Sequence, residues 1–291
     1  MAKRRKGARP ATGRQKVRDI FVPRPFEGLA SECEWIALRE LVPAASAPLR
    51  LNAEYAQRYP DRPITLATVL PMALPAISRT DGHVLVGLQR HARSGDASRD
   101  LAAALLAALE TPPGETVPVP ALPGEGPRLQ DVLDNVPLEI TVHDGFEFWL
   151  TDGSGDDPQV RASLEQANAA IYPTARLSAA PAAYWCRVPD RAHVRWVLPT
   201  DEDLAMDALA RLGAAGALTL GEGTRLAGMF RAYGRIVPVW DLPREPEAAA
   251  WEAPLAEFAK RYAEAEASHE PLTAAERRSR QGLVSRQRTL R

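Results

Sequence analysis

Apolar positions along the chain fall into short runs whose period alternates between that of a helix and that of a strand. In "SECEWIALREL", Trp35, Leu38 and Leu41 share one helical face. Ser31 precedes Glu34 at capping-box spacing and Pro43 supplies a stop, which predicts a helix over 31–41. "NAEYAQRY" reads as a second, shorter helix, and "ITLATVL", bounded by Pro63 and Pro71, as a buried strand. "AISRTDGHVLVGLQR" places Asp81-Gly82 between β-prone flanks, a hairpin signal. In "SGDASRDLAAALLAALE", Asp96 or Ser98 caps a helix whose Leu101, Leu105 and Leu109 fall at i, i+4 and i+8.

The second half repeats this grammar. "LEITVHDGFEFWL" reads as two strands joined at Asp144-Gly145, followed by a helix capped by Asp157 with Pro158 at its first position. "AAYWCRVPDRAHVRWVLP" predicts a hairpin around Pro189-Asp190, with Tyr184, Cys186 and Val188 on one face and Trp185 and Arg187 on the other. A helix capped by Thr200 or Asp201 follows and stops at Gly213. "GEGTRLAGMFRAYG" reads as a helix carrying Leu226, Met229, Phe230 and Tyr233, and "RIVPVWDLP" as a short extended piece. "AAAWEAPLAEFAKRYAEAEASH" predicts a helix with Trp251, Leu255, Phe258 and Tyr262 inward. Hairpin-then-helix units thus begin near residues 76, 138 and 182. The predicted class is α+β, two halves built of antiparallel hairpins each followed by a packing helix. Six prolines and three glycines in 111–128 mark a linker or a long wrapping connection, and a boundary placed there divides a domain over 19–110 from one over 129–271, unless the segment lies flat against one continuous body.

Charge changes this picture at the ends. Residues 1–18 hold eight Lys or Arg and no acid, and 272–291 hold six Arg and one Glu. That leaves 22 basic and 36 acidic residues in 19–271, a body near −14 between two cationic tails that are expected to be disordered. Arg4, Arg5, Lys6, Arg277, Arg278 and Arg280 are the candidate polyanion-binding residues. No apolar run approaches the roughly 18 residues of a membrane span, and the basic leader lacks an apolar signal region, so a cytoplasmic protein is expected. Cys33 and Cys186 stand far apart with no CxxC pair, which predicts reduced thiols.

Chemical motifs are few. Cys33 lies between Glu32 and Glu34, whose charge opposes a thiolate, so "RPFEGLASECEWIALRELVPA" reads as packing rather than as a reactive site. Five histidines show no metal-ligand spacing. "TDGSGDD" lacks the final Glu of a calcium loop. "LTLGEGTRLAG" has the strand–turn–helix form of a phosphate site, but neither a Gly-Lys-Thr/Ser ending nor a charge that favours phosphate at Glu222. No catalytic, cofactor-binding or metal residue is assigned and no cofactor is called for. His143 beside Asp144 is the one general-base candidate. A Ser-His-Asp set is not visible, because such partners converge in space rather than in sequence.

"RPFEGLASECEWIALRELVPA", "AHVRWVLPTDEDLAMDALARL" and "FRAYGRIVPVWDLP" resemble a domain-of-unknown-function family of high-GC Gram-positive bacteria over roughly 24–245. The resemblance implies a cytoplasmic bacterial protein and supplies no catalytic residues. The Sec translocase ATPase label that some members carry does not fit a chain of 291 residues without a Walker motif. Residues 138–213 are also similar to small secretion-chaperone-like domains, which bind extended peptides without a cofactor. The leading expectation is a non-enzymatic, chaperone-like adaptor for a protein partner, with Trp149, Trp185 and Trp196 as a candidate groove. The alternatives are a nucleic-acid- or ribosome-associated factor using the tails, and an enzyme using a pocket at the His143-Asp144 turn.

Overall fold

The computed structural model describes residues 18–90, 94–150 and 157–285. The strands β1 (Ala45–Leu49), β2 (Ile64–Val69), β3 (Ala76–Ser78), β4 (Val84–Gln89) and β5 (Thr141–Val142) form a sheet in the order β3-β4-β2-β1-β5. Its pairs are antiparallel except β2 with β4, which run parallel. These two central strands are almost wholly buried, and "ITLATV" and "VLVGLQ" are correspondingly apolar at nearly every position. On one face lie α1 (Glu32–Glu40) and α3 (Ala97–Glu110), whose Leu101, Leu105 and Leu109 are buried as the spacing predicts. Asp96 caps α3, accepting from Ser98 N and Arg99 N. The short helices α2 (Ala53–Arg58) and α4 (Leu129–Val132) flank this body.

The second sheet is antiparallel, in the order β6-β7-β8-β10-β9. It comprises β6 (Thr174–Leu177), β7 (Ala183–Val188), β8 (Arg191–Trp196), β9 (Arg225–Ala232) and β10 (Arg235–Leu242). Its two faces meet different cores. Trp185, Val194 and Trp240, in register across three strands, pack with Met206 and Leu209 of α6 (Glu202–Ala214). Leu255, Phe258 and Tyr262 of α7 (Glu252–Glu266) complete that core. On the opposite face Tyr184 and Val237 join the core of the first sheet, so that core is shared between the two sheets. The architecture is α+β, and α5 (Pro158–Asn168), capped by Asp157, forms as its sequence predicts.

Several local readings are corrected. "GEGTRLAGMFRAYG" contains β9, not a helix. A bulge lets Gly228 face Val239 and Leu226 face Trp240, passing over Ala227. Leu226 and Met229 therefore reach one core despite an odd separation, and their spacing imitates a helix. The turn Tyr233-Gly234 has positive φ at both positions, 47° and 77°, as a tight hairpin requires. Pro238 is tolerated because pairing with β8 begins only at Val239. In "LEITVHDGFEFWL" only β5 is a strand, and it pairs with β1 of the first sheet, so no hairpin unit begins near 138. Phe148 and Trp149 instead pack with Leu70 and Leu85 on the outer face of that sheet. Residues 111–128 lie against the first body, with Val117 in its core and Gly114 N bonded to Ser78 O. The C-terminal segment is not wholly a frayed tail. Helix α8 (Ala274–Ser285) buries Leu283 in the second core, because one apolar contact and the Arg280 ion pairs fix it to α6. Ser31 is left-handed at φ 61° rather than extended and makes no side-chain cap, and the Glu34 carboxylate is engaged elsewhere, so the capping box does not form.

Replacing Gly234 by Val tests the hairpin assignment. A Cβ there would lie 2.4 Å from Arg24 Cγ, on backbone already at positive φ. The expected outcome is a loss of about 2–3 kcal/mol in urea unfolding, whereas Gly282→Ala on α8, with open space around it, leaves stability unchanged or raised.

Candidate functional site

Helix α1 is buried at six successive positions, Glu34 through Arg39, so it meets protein on every side. Its apolar residues Trp35, Ile36 and Leu38 fill the shared core, and Phe26 stacks on Trp35 at 5.8 Å. Its charged residues reach the second sheet. Glu34 Oε1 accepts from Arg176 Nη2 at 2.6 Å and from Ala182 N at 3.0 Å, and its Oε2 accepts from the Tyr184 hydroxyl at 2.7 Å. Burial, reinforced by this carboxylate, drives the Tyr184 phenol well above its ordinary pKa. Glu32 Oε2 accepts from Arg24 Nη2 at 3.0 Å and from Arg235 Nη2 at 2.8 Å, and Arg235 continues to Pro199 O and Asp201. Burial alone would raise the Glu32 pKa, but hydrogen bonds from Arg24 and Arg235 hold it below its usual value. Cys33, between the two acids, has its pKa pushed up to about 11, chiefly by burial. The opening acids and thiol of the helix are thus a junction between two sheets.

Where α1 ends, the junction opens into a cleft of about 420 Å³. One wall is Arg39 to Pro43 with Gln89 of β4, and the other is Cys186, Val188, His193 and Arg195 of β7 and β8. Tyr172, half exposed, stands at its rim. The walls are cross-tied. Arg195 Nη2 donates to Leu41 O at 2.9 Å, and Arg39 donates to Leu88 O at 2.6 Å and to the Tyr233 hydroxyl. Cys186, His193 and Asp241 lie in register on three adjacent strands, and His193 Nδ1 is 3.2 Å from Asp241 Oδ1. Burial raises the Cys186 pKa although Arg195 opposes it, and burial lowers that of His193 although Asp241 opposes it. Both groups are therefore neutral near pH 7 rather than an ion pair. A groove of about 380 Å³ beside Met72, Val119 and Leu122 is less suited to orient a ligand, because its Arg90 and Asp100 are paired with each other at 3.1 Å.

The three tryptophans predicted to form a groove are not brought together. Trp185 and Trp196 are buried in the second core, where their area contributes to folding and is closed to a partner. Trp149 stacks on Phe146 at 4.1 Å and donates to Val69 O on the outer face of the first sheet. Arg280 donates to Asp207 at 2.8 Å and Asp203 at 2.9 Å of α6, Arg277 to Leu272 O, and Arg278 is exposed on α8. Arg4, Arg5 and Lys6, and the first six residues of "TDGSGDD", lie outside the described residues. Gly221 and Gly223 precede a strand, so the predicted helix N-terminus for phosphate is absent there. Among the described residues no group of three or more His, Cys, Asp and Glu is placed to hold a metal ion. His143 is not a free turn histidine, since Ser46 Oγ lies 2.8 Å from its Nε2 and its ring stacks on Phe148. His193, Arg195 and Ser46 carry no spacing signal, because strand pairing places them, and Tyr172 precedes β6 by two residues.

Residues 25–291 match a family of unknown function, DUF5926. No curated protein and no solved structure matches the chain.

Two substitutions test the junction. Glu34→Ala is expected to cost about 2–4 kcal/mol in urea unfolding, below the full figure for a broken buried pair because Arg176 is partly exposed. The Glu32 contribution is complete above its unfolded value, near 4.5, and is lost as pH falls through the lower folded value. Glu32→Gln should therefore flatten the stability profile below pH 4.5, read by thermal melting across that range.

Proposed function

We propose, for a chain that belongs to the DUF5926 family of unknown function, that it is an adaptor that takes a segment of a protein partner into the cleft between its two sheets. The observation that carries this reading is a cleft to which both sheets contribute a wall, tied across by Arg195 to Leu41 O. Its size suits an inserted side chain with its flanking backbone. Val42, Pro43 and Val188 offer apolar contact, while Gln89, His193 and Arg195 offer a few fixed polar groups. An exposed tyrosine at the rim is a residue type enriched at binding surfaces. A chaperone-like role follows if the partner segment is unfolded when bound. The tails are less suited to the task, because Arg280 is already paired with two acids of α6. No helix among the described residues is long and apolar enough to cross a membrane.

A photo-crosslinking amino acid placed at Tyr172 in the full chain tests this in cells. The expected result is one dominant crosslinked polypeptide, weakened at least about tenfold by Val188→Arg, a change that fills the cleft. Crosslinking no stronger at Tyr172 than at Val136, exposed and outside the cleft lining, would reject the cleft as the docking site.

A further inference from the structure

We propose that Ser46 and His143 form a nucleophile–base pair on the outer face of the first sheet, directed at carboxylic esters or thioesters with an apolar acyl group. This goes beyond the binding reading and is independent of it. Ser46 Oγ lies 2.8 Å from His143 Nε2, within the reach that activation of a hydroxyl requires. The partners are 97 residues apart and meet because β5 returns antiparallel beside β1, with Ser46 opposite Thr141. His143 N donates to Ala44 O at 2.9 Å, which fixes the histidine backbone one residue beyond the strand.

The imidazole is also held from its face. It stacks on Phe148 with ring centroids 4.5 Å apart, and Phe148 O accepts from Arg79 Nη2 at 2.8 Å. Burial lowers the His143 pKa, so the ring is neutral and able to accept a proton near pH 7. Glu147 and Asp144 act in the opposite sense and favour the imidazolium that forms during reaction. Ser46 and His143 are both partly exposed. Phe148 contacts Phe146 and Trp149, and these rings give the site an apolar border that selects an apolar acyl group.

In the proposed reaction Ser46 Oγ bonds to the acyl carbon while His143 Nε2 removes the hydroxyl proton. The bond to the alcohol or thiol then breaks, and the leaving group takes that proton from His143. Water attacks the acyl-serine with His143 again as base, which releases the carboxylic acid and restores both side chains. No oxidant or reductant takes part. A second hydroxyl–imidazole contact, Thr65 Oγ1 to His83 Nε2 at 2.9 Å, lies in the same sheet and serves as an internal control.

The test uses the full-length protein and an alkyl fluorophosphonate, which forms an oxygen–phosphorus bond with an activated serine and releases fluoride and a proton. Peptide mass spectrometry is expected to place the adduct on Ser46, and Ser46→Ala to abolish it. His143→Ala should slow labelling at least about 100-fold, the usual contribution of a general base, while Thr65→Ala leaves the rate unchanged. Because removing the stacked ring can disturb the loop, His143→Gln is measured beside it, with its melting temperature as the check on folding. A folded His143→Gln protein that has lost labelling supports the pair. Absence of an adduct on Ser46 under conditions that label a serine esterase, or undiminished labelling of folded His143→Gln, overturns the proposal.

Discussion

The carboxylate of Glu34 sits inside the protein with almost no exposure, and the relation between the two sheets depends on how it is satisfied. A buried charge without partners is strongly unfavourable, so the protein must keep Arg176, the Ala182 amide and the Tyr184 hydroxyl around it. All three belong to the second sheet or the turn leading into it, whereas Glu34 belongs to a helix packed on the first. The favourable arrangement of that charge exists only when both sheets are in place. Glu32 repeats the device toward Arg24 and Arg235, and Arg39 toward Tyr233 and Leu88 O. Apolar burial supplies the bulk of the stability around α1, and the charges select one docking geometry.

The geometry so fixed determines what each surface can do. The second sheet has one face for α6 and α7 and another divided between the shared core and the cleft. Its row Thr174–Cys186–His193–Asp241–Arg225 crosses all five strands, and the cleft is lined by the first three members of that row. Asp241, at the far end, accepts from Arg191 and Arg225, which anchors the row away from the cleft. The first sheet keeps its outer face under the aromatic loop that carries His143. The two sites therefore lie on separate surfaces, one made by docking the sheets together and the other by β5 returning to β1.

Much of this was legible in the amino-acid sequence where one residue's effect is local. The Asp157 cap, the Leu101–Leu105–Leu109 stripe and the inward set Trp251, Leu255, Phe258 and Tyr262 are readable because a helix declares its own period. Packing at Cys33 was legible from its acidic neighbours. The errors arise where tertiary structure overrides local pattern. A bulge at Ala227 gave β9 a false helical spacing, and Glu34 left its expected capping role for partners 142 to 150 residues away. Of the two candidate sites only His143 was readable in advance, as a general-base candidate at a turn; its partner and the cleft residues were not. His193 and Arg195 gain meaning from strands β7 and β10, and Ser46 from a two-residue strand that sequence reasoning assigned to a separate hairpin.

The most direct test of the central claim is native-state hydrogen exchange resolved to the strands of both sheets. If the α1 charges bind the sheets into one cooperative unit, the slowest amides of β2 and β10 exchange with the same opening free energy, and Glu34→Ala lowers both together. Exchange of β10 through an opening that leaves β2 fully protected, unaffected by Glu34→Ala, would contradict it.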